Sequence, residues 1–158
     1  MELRQIKEGL YSLNGKPVLN NNLIIAVHPY FLEYNNVKKA EEMKEKIDRI
    51  KEFIIKYAGP KIILEEASEL TKTLRKYETE SDLTNLFLIK TGEGCSTPFE
   101  ISYDKMLDYF QEMSGNKKIF LIGGYNWNNW WNKGCLGSLK ERIKIRGLPH
   151  KVISKLTF

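Results

Sequence analysis

Short apolar runs alternate along this chain with longer stretches whose apolar residues recur every three or four positions, and that alternation restricts the fold more than any other feature. The run 23–27, Leu-Ile-Ile-Ala-Val, has no polar residue to turn toward water and reads as a strand buried on both faces. From residue 36 to 58 the apolar side chains fall at Val37, Ala40, Met43, Ile47, Ile50, Ile54 and Tyr57, a single helical stripe. Gly59-Pro60 ends that helix and 61–64 supplies a second strand. A second stripe, Ala67, Leu70, Leu74 and Tyr77, leads to a third strand at 85–89. Ser102 opens a helix with Tyr103, Met106, Leu107, Phe110 and Met113 on its inner side, and 118–122 is a fourth strand. A helix through Leu136, Leu139 and Ile143 and a last strand at 150–156 complete the series.

Strands that alternate with helices imply βαβ units joined by right-handed crossovers. The expected fold is α/β: a doubly wound three-layer sandwich around a mainly parallel sheet of about five strands. The length of 158 residues fits one domain, residues 1–158, with a βαβ core over 23–158. Residues 1–22 are expected to form a hairpin at the sheet edge, turning at Asn14-Gly15.

Composition narrows the function classes. No apolar run approaches the roughly 18 residues of a membrane helix, and the N-terminus carries acids where a signal peptide is apolar, so no membrane association and a cytoplasmic location are expected. The net charge of +5 is spread along helices that alternate lysine with glutamate, which argues against nucleic acid as a partner. Cys95 and Cys135 are expected to be free thiols. With His28 and His150 the only histidines and no His/Asp/His cluster, neither a metal nor another cofactor is expected.

A parallel sheet binds ligands beyond the carboxyl ends of its strands. The residues to weigh are therefore His28, Glu65, the loop 90–96 and the stretch 123–138. In the last of these, Gly123 and Gly124 turn the chain out of a buried strand, and Trp127, Trp130 and Trp131 stand among asparagines. The tryptophans suit stacking on a small-molecule ligand or a contact between copies of the chain. Ser138, with Gly134 and Gly137, sits where a helix start could hold a phosphate. Cys135 lies at the same helix start, where the dipole and nearby Lys133 would favour a nucleophilic thiolate. Lys90, directly after a strand, could support that thiolate, and His28 could carry a proton.

The second half, about 85–156, resembles the isochorismatase-like cysteine hydrolase superfamily. The resemblance is carried by Lys90 after a strand, Ser96-Thr-Pro-Phe99, a helix with Leu107, the strand running into Gly123-Gly124, and Cys135-Leu136 opening a helix that leads through Gly147 to a final strand. It implies catalytic roles for Lys90 and Cys135. The family's third residue is an aspartate after the first strand, a place that His28 occupies here, with no acid before Glu33. Two functions are thus expected: a cysteine-dependent hydrolase or amidase of small molecules, or a non-catalytic domain that binds a nucleotide, a phosphate or a partner.

Overall fold

The computed structural model describes residues 3–14, 21–81, 83–127, 129 and 132–158. Its elements in chain order are β1 (Arg4–Lys7), β2 (Leu10–Asn14), β3 (Leu23–Val27), α1 (Phe31–Asn35), α2 (Val37–Glu42), α3 (Lys44–Lys56), β4 (Lys61–Glu66), α4 (Leu70–Arg75), β5 (Leu86–Thr91), α5 (Tyr103–Ser114), β6 (Ile119–Gly123), α6 (Gly134–Arg146) and β7 (His150–Thr157). One mixed sheet runs β1-β2-β5-β4-β3-β6-β7. Strands β3 to β7 are mutually parallel, and β1 and β2 join antiparallel beside β5. The architecture is α/β with a mostly parallel sheet.

The apolar runs occupy the middle of that sheet because their residues have both faces to bury. Every residue of β3 is at most 1% exposed. Alternate residues feed two separate cores. Leu23, Ile25 and Val27 pack with Met106, Phe110, Leu136 and Ile143 of α5 and α6. Ile24 and Ala26 pack on the other face with Leu32, Ala40, Ile47, Ile50 and Ile54 of α1 to α3. Each fully buried aliphatic side chain contributes roughly 1.5–3 kcal/mol, so these two stripes hold the layers together.

Three expectations are adjusted by the structure. The sheet has seven strands among the described residues rather than about five, because the N-terminal hairpin pairs into it. That hairpin turns at Glu8-Gly9, with Gly9 at φ +68°; Asn14 of the expected Asn14-Gly15 turn ends β2, and residues 15–20, into which that turn would run, lie outside the described ones. The continuous helix expected over 36–58 is divided: α2 starts at the Asn36 cap, whose side chain accepts from Lys39 N–H at 3.1 Å, and breaks at Met43 before α3. Periodicity registers which face is buried, and a break that keeps the face leaves it unchanged. No helix among the described residues is long and apolar enough to cross a membrane.

Candidate functional site

β3 lies at the centre of the parallel strands, between β4, which leads on to β5, and β6, which leads on to β7, so the chain winds away from it in both directions. Beyond its carboxyl end opens a cavity of about 610 Å³, lined by residues from the loops after β3, β5 and β6 and from α2, α5 and α6. This is the place where open parallel sheets gather ligands.

The floor is built by two sharp turns. His28 leaves β3 at φ +40°, in the left-handed region, and its backbone N–H donates to the Leu64 carbonyl at 3.0 Å. The ring is 2% exposed, and Nε2 shares a hydrogen bond of 2.9 Å with Thr91 Oγ1. Nδ1 is buried without a hydrogen-bond partner among the described residues. Burial lowers the ring's pKa to about 4, so the imidazole is neutral near pH 7. In the neighbouring turn Gly123 adopts φ +94°, and a β-carbon there would stand 2.3 Å from the Val27 carbonyl oxygen. Only glycine lets β6 pass this close to β3. Gly124 N–H then donates to the same Val27 carbonyl at 2.9 Å.

From this turn Tyr125 swings over the start of α6. Its carbonyl accepts from the N–H groups of Leu136 and Gly137 at 3.0 and 3.1 Å, and Asn132 Oδ1 accepts from Gly134 N–H at 3.0 Å. Three of the amides expected to cradle a phosphate are thereby engaged within the protein, which removes much of the attraction a helix start holds for an anion. The Tyr125 ring packs against Phe31 at 5.8 Å and Trp127 at 5.2 Å between centroids, forming an aromatic wall. Trp127 remains 44% exposed. Trp130 and Trp131 lie outside the described residues.

Cys135 lines the cavity half-buried, and its thiol donates to the Gly94 carbonyl at 3.5 Å. Burial pushes this thiol above its ordinary value, aided by Cys95 and Glu66 and opposed by backbone hydrogen bonds. The activation expected of a helix start is outweighed by desolvation. Lys133 gives no help, because its ammonium pairs with Glu141 at 2.7 Å on an exposed flank.

Cys135, His28, Trp127 and Ser138 are brought to one cavity; Lys90 is not. Its Nζ sits 4.6 Å over the Tyr11 ring and 3.6 Å from Glu100. The reason is the two-residue period of a strand. Phe87 and Ile89 face the core of α5 and α6, which is also the side of Cys135, so Thr91 continues that face and Lys90 takes the other. Gly123 and Gly124 shape the floor without lining the cavity. Glu65, on the opposite face, accepts from Thr73 Oγ1 at 2.7 Å and from Glu66 N–H at 2.9 Å, and burial raises its carboxyl to about pKa 7. Glu66 accepts from Gly94 N–H at 2.8 Å and ties down the loop that carries Cys95.

Tyr103 and Arg142 line the cavity but were not among the residues the sequence singled out for it: Tyr103 reads as an inner-face core residue, and Arg142 belongs to no motif. In the structure the Arg142 guanidinium lies 4.4 Å from the Tyr103 ring centroid, and Tyr103 Oη shares a hydrogen bond of 3.0 Å with Ser96 Oγ. Two cations, Lys39 and Arg142, line the cavity, and no Asp or Glu does so among the described residues. Among those residues, no group of three or more His, Cys, Asp or Glu stands close enough to hold a metal ion.

Comparison with protein-family models, curated proteins and solved structures gives no match to this chain.

Proposed function

We propose that the protein is a small-molecule-binding α/β domain whose ligand occupies the cavity beyond β3, and that it binds without using Cys135 as a nucleophile. The observation that carries this reading is the cavity itself, about 610 Å³ of mixed aromatic and polar wall at the carboxyl edge of a mostly parallel sheet. The sheet is read as the centre of a doubly wound three-layer sandwich, the architecture in which that edge is the usual ligand site. The non-catalytic form is favoured because the thiol is held protonated and Lys90 belongs to another face. Two free cysteines in one cavity suit a reducing, cytoplasmic setting.

The cysteine hydrolase reading keeps one specific support: Cys135 and His28 line the same cavity, as the resemblance to isochorismatase-like enzymes would require. One experiment separates the two. Thermal stability is measured with a panel of nucleotides, phosphate esters and small amides, in the unaltered chain and in Cys135→Ala, alongside the pH profile of iodoacetamide labelling. The binding reading expects ligand stabilisation that survives Cys135→Ala and a labelling pKa above that of a free thiol. A labelling pKa below the free-thiol value, with amide turnover lost in Cys135→Ala, transfers the protein to the hydrolases.

A further inference from the structure

The cavity's polar groups are distributed unevenly, and the distribution identifies a class of ligand. Arg142 carries no carboxylate partner among the described residues, whereas Arg146, further along α6, is paired with Asp104 and Asp108 of α5, and Arg49 with Glu45. It is held instead against Tyr103, whose hydroxyl is itself tied to Ser96. A guanidinium stacked in this way presents its N–H edge in a fixed direction, the arrangement that recognises carboxylate and phosphate oxygens. Lys39 approaches the cavity from α2, which packs on the other face of the sheet, and its contact with Glu42 is long at 3.4 Å. No acid stands in the described lining, so among the described residues the one carboxylate paired with these two cations is Glu42, outside the cavity and against Lys39 alone.

The second observation comes from the floor. His28 is 2% exposed, lines the cavity, and has Nδ1 buried with no partner among the described residues. An unsatisfied buried ring nitrogen is costly, and a ligand that hydrogen-bonds it recovers that cost. The rings of Phe31, Tyr125 and Trp127 line the same cavity as the cations and the histidine and favour a flat apolar body.

We propose that the ligand is a planar aromatic or heteroaromatic oxyanion, an aryl carboxylate or aryl phosphate, with its anionic group at Arg142 and Lys39 and a hydrogen-bonding group meeting His28 Nδ1. This rests on the small-molecule reading above and adds charge, shape and polarity to it. The anion is recognised by side chains of opposing helices, because at the start of α6 the Leu136 and Gly137 amides are taken by the Tyr125 carbonyl and that of Gly134 by Asn132.

The test is a titration of the full chain, followed by calorimetry and tryptophan fluorescence, with benzoate, the three hydroxybenzoates, phenyl phosphate, inorganic phosphate, benzamide and benzylamine. Benzoate and phenyl phosphate are expected to bind at least about tenfold more tightly than benzamide, and benzylamine and inorganic phosphate more weakly still. At least one hydroxybenzoate should exceed benzoate, and that gain should vanish in His28→Asn. Arg142→Met should weaken the anions roughly ten- to a hundredfold while leaving benzamide unchanged. Arg142 is exposed, so this variant is expected to fold, and Arg142→Lys should restore part of the loss. Benzamide or benzylamine binding as tightly as benzoate would overturn the anionic class and leave small-molecule binding intact. Anion binding that ignores Arg142→Met would also overturn the assignment. Failure of every probe, neutral and cationic ones included, would overturn both the class and the binding reading.

Discussion

Acidification from about pH 7 to about pH 5 should leave the stability of this protein nearly unchanged for a reason that single substitutions expose. His28 has a folded pKa of about 4 against an ordinary 6.5. Below 6.5 the unfolded chain takes up a proton that the buried ring refuses, so His28 costs nothing at higher pH and destabilises progressively as the pH falls toward 4. Glu65 runs the other way, with a folded value of about 7 against 4.5. Its buried carboxyl takes up a proton below pH 7 while the unfolded one stays ionised, so it gains stability as the pH falls and loses it as the pH rises through 7. Over this interval each titration amounts to about 2 kcal/mol, with opposite sign. Lys61, lowered to about 8 by burial, is protonated in both states throughout this range and adds no slope.

The assay is urea unfolding near both pH values at constant ionic strength for the unaltered chain, His28→Asn, Glu65→Gln and the double variant. Asparagine is chosen because it tolerates the left-handed backbone at position 28. His28→Asn should become more stable by about 2 kcal/mol on acidification, and Glu65→Gln less stable by a similar amount. The double variant should be flat again. Parallel slopes in the two single variants would refute the assignment, since the opposition is what burial of one base and one acid demands.

Other outcomes follow from the backbone and from the face of β5. Gly123→Ala and Gly147→Ala both place alanine at positive φ, but only at Gly123 would the new carbon meet a backbone oxygen at 2.3 Å. Urea unfolding should show a cost of about 1 kcal/mol at Gly147 and at least about 3 kcal/mol at Gly123. Lys90→Met should change stability by no more than about 1 kcal/mol, its partner Glu100 being partly solvated, and should leave ligand-induced thermal shifts unaltered. A lost thermal shift in Lys90→Met would return Lys90 to the site.

The main elements were legible because burial imprints itself on residue type at a fixed period. Leu23–Val27 has two apolar faces because helices cover both, and Ala40, Ile47, Ile50 and Ile54 recur helically because one side of α2 and α3 is covered. The break at Met43 was illegible, since Ala40 and Ile47 meet the same core with or without it. The edge hairpin was expected in the right region, and β1 and β2 pair across a reversal at Gly9 that carries no strong local turn signal; the turn expected at Asn14-Gly15 runs into residues 15–20, outside the described ones.

The site divides in the same way. Sequence alone determined that glycine turns, His28 and Cys135 stand after strands or at a helix start, because these are local properties of the chain. Only the tertiary structure decided which of them share a space. One residue of strand phase sends Lys90 to Tyr11 and turns Thr91 toward His28. Burial, a property of the assembled layers, raises the Cys135 thiol against the effect of its own helix, and the Tyr125 carbonyl, carried over α6 by the path of the chain after the glycine turn, occupies two of the amides that an anion would have sought. Arg142 and Tyr103 come from separate helices and become a recognition pair only when α5 and α6 pack on the same face of the sheet. Local sequence carries the period and the turn chemistry; charge, desolvation and convergence depend on distances between segments that no period encodes.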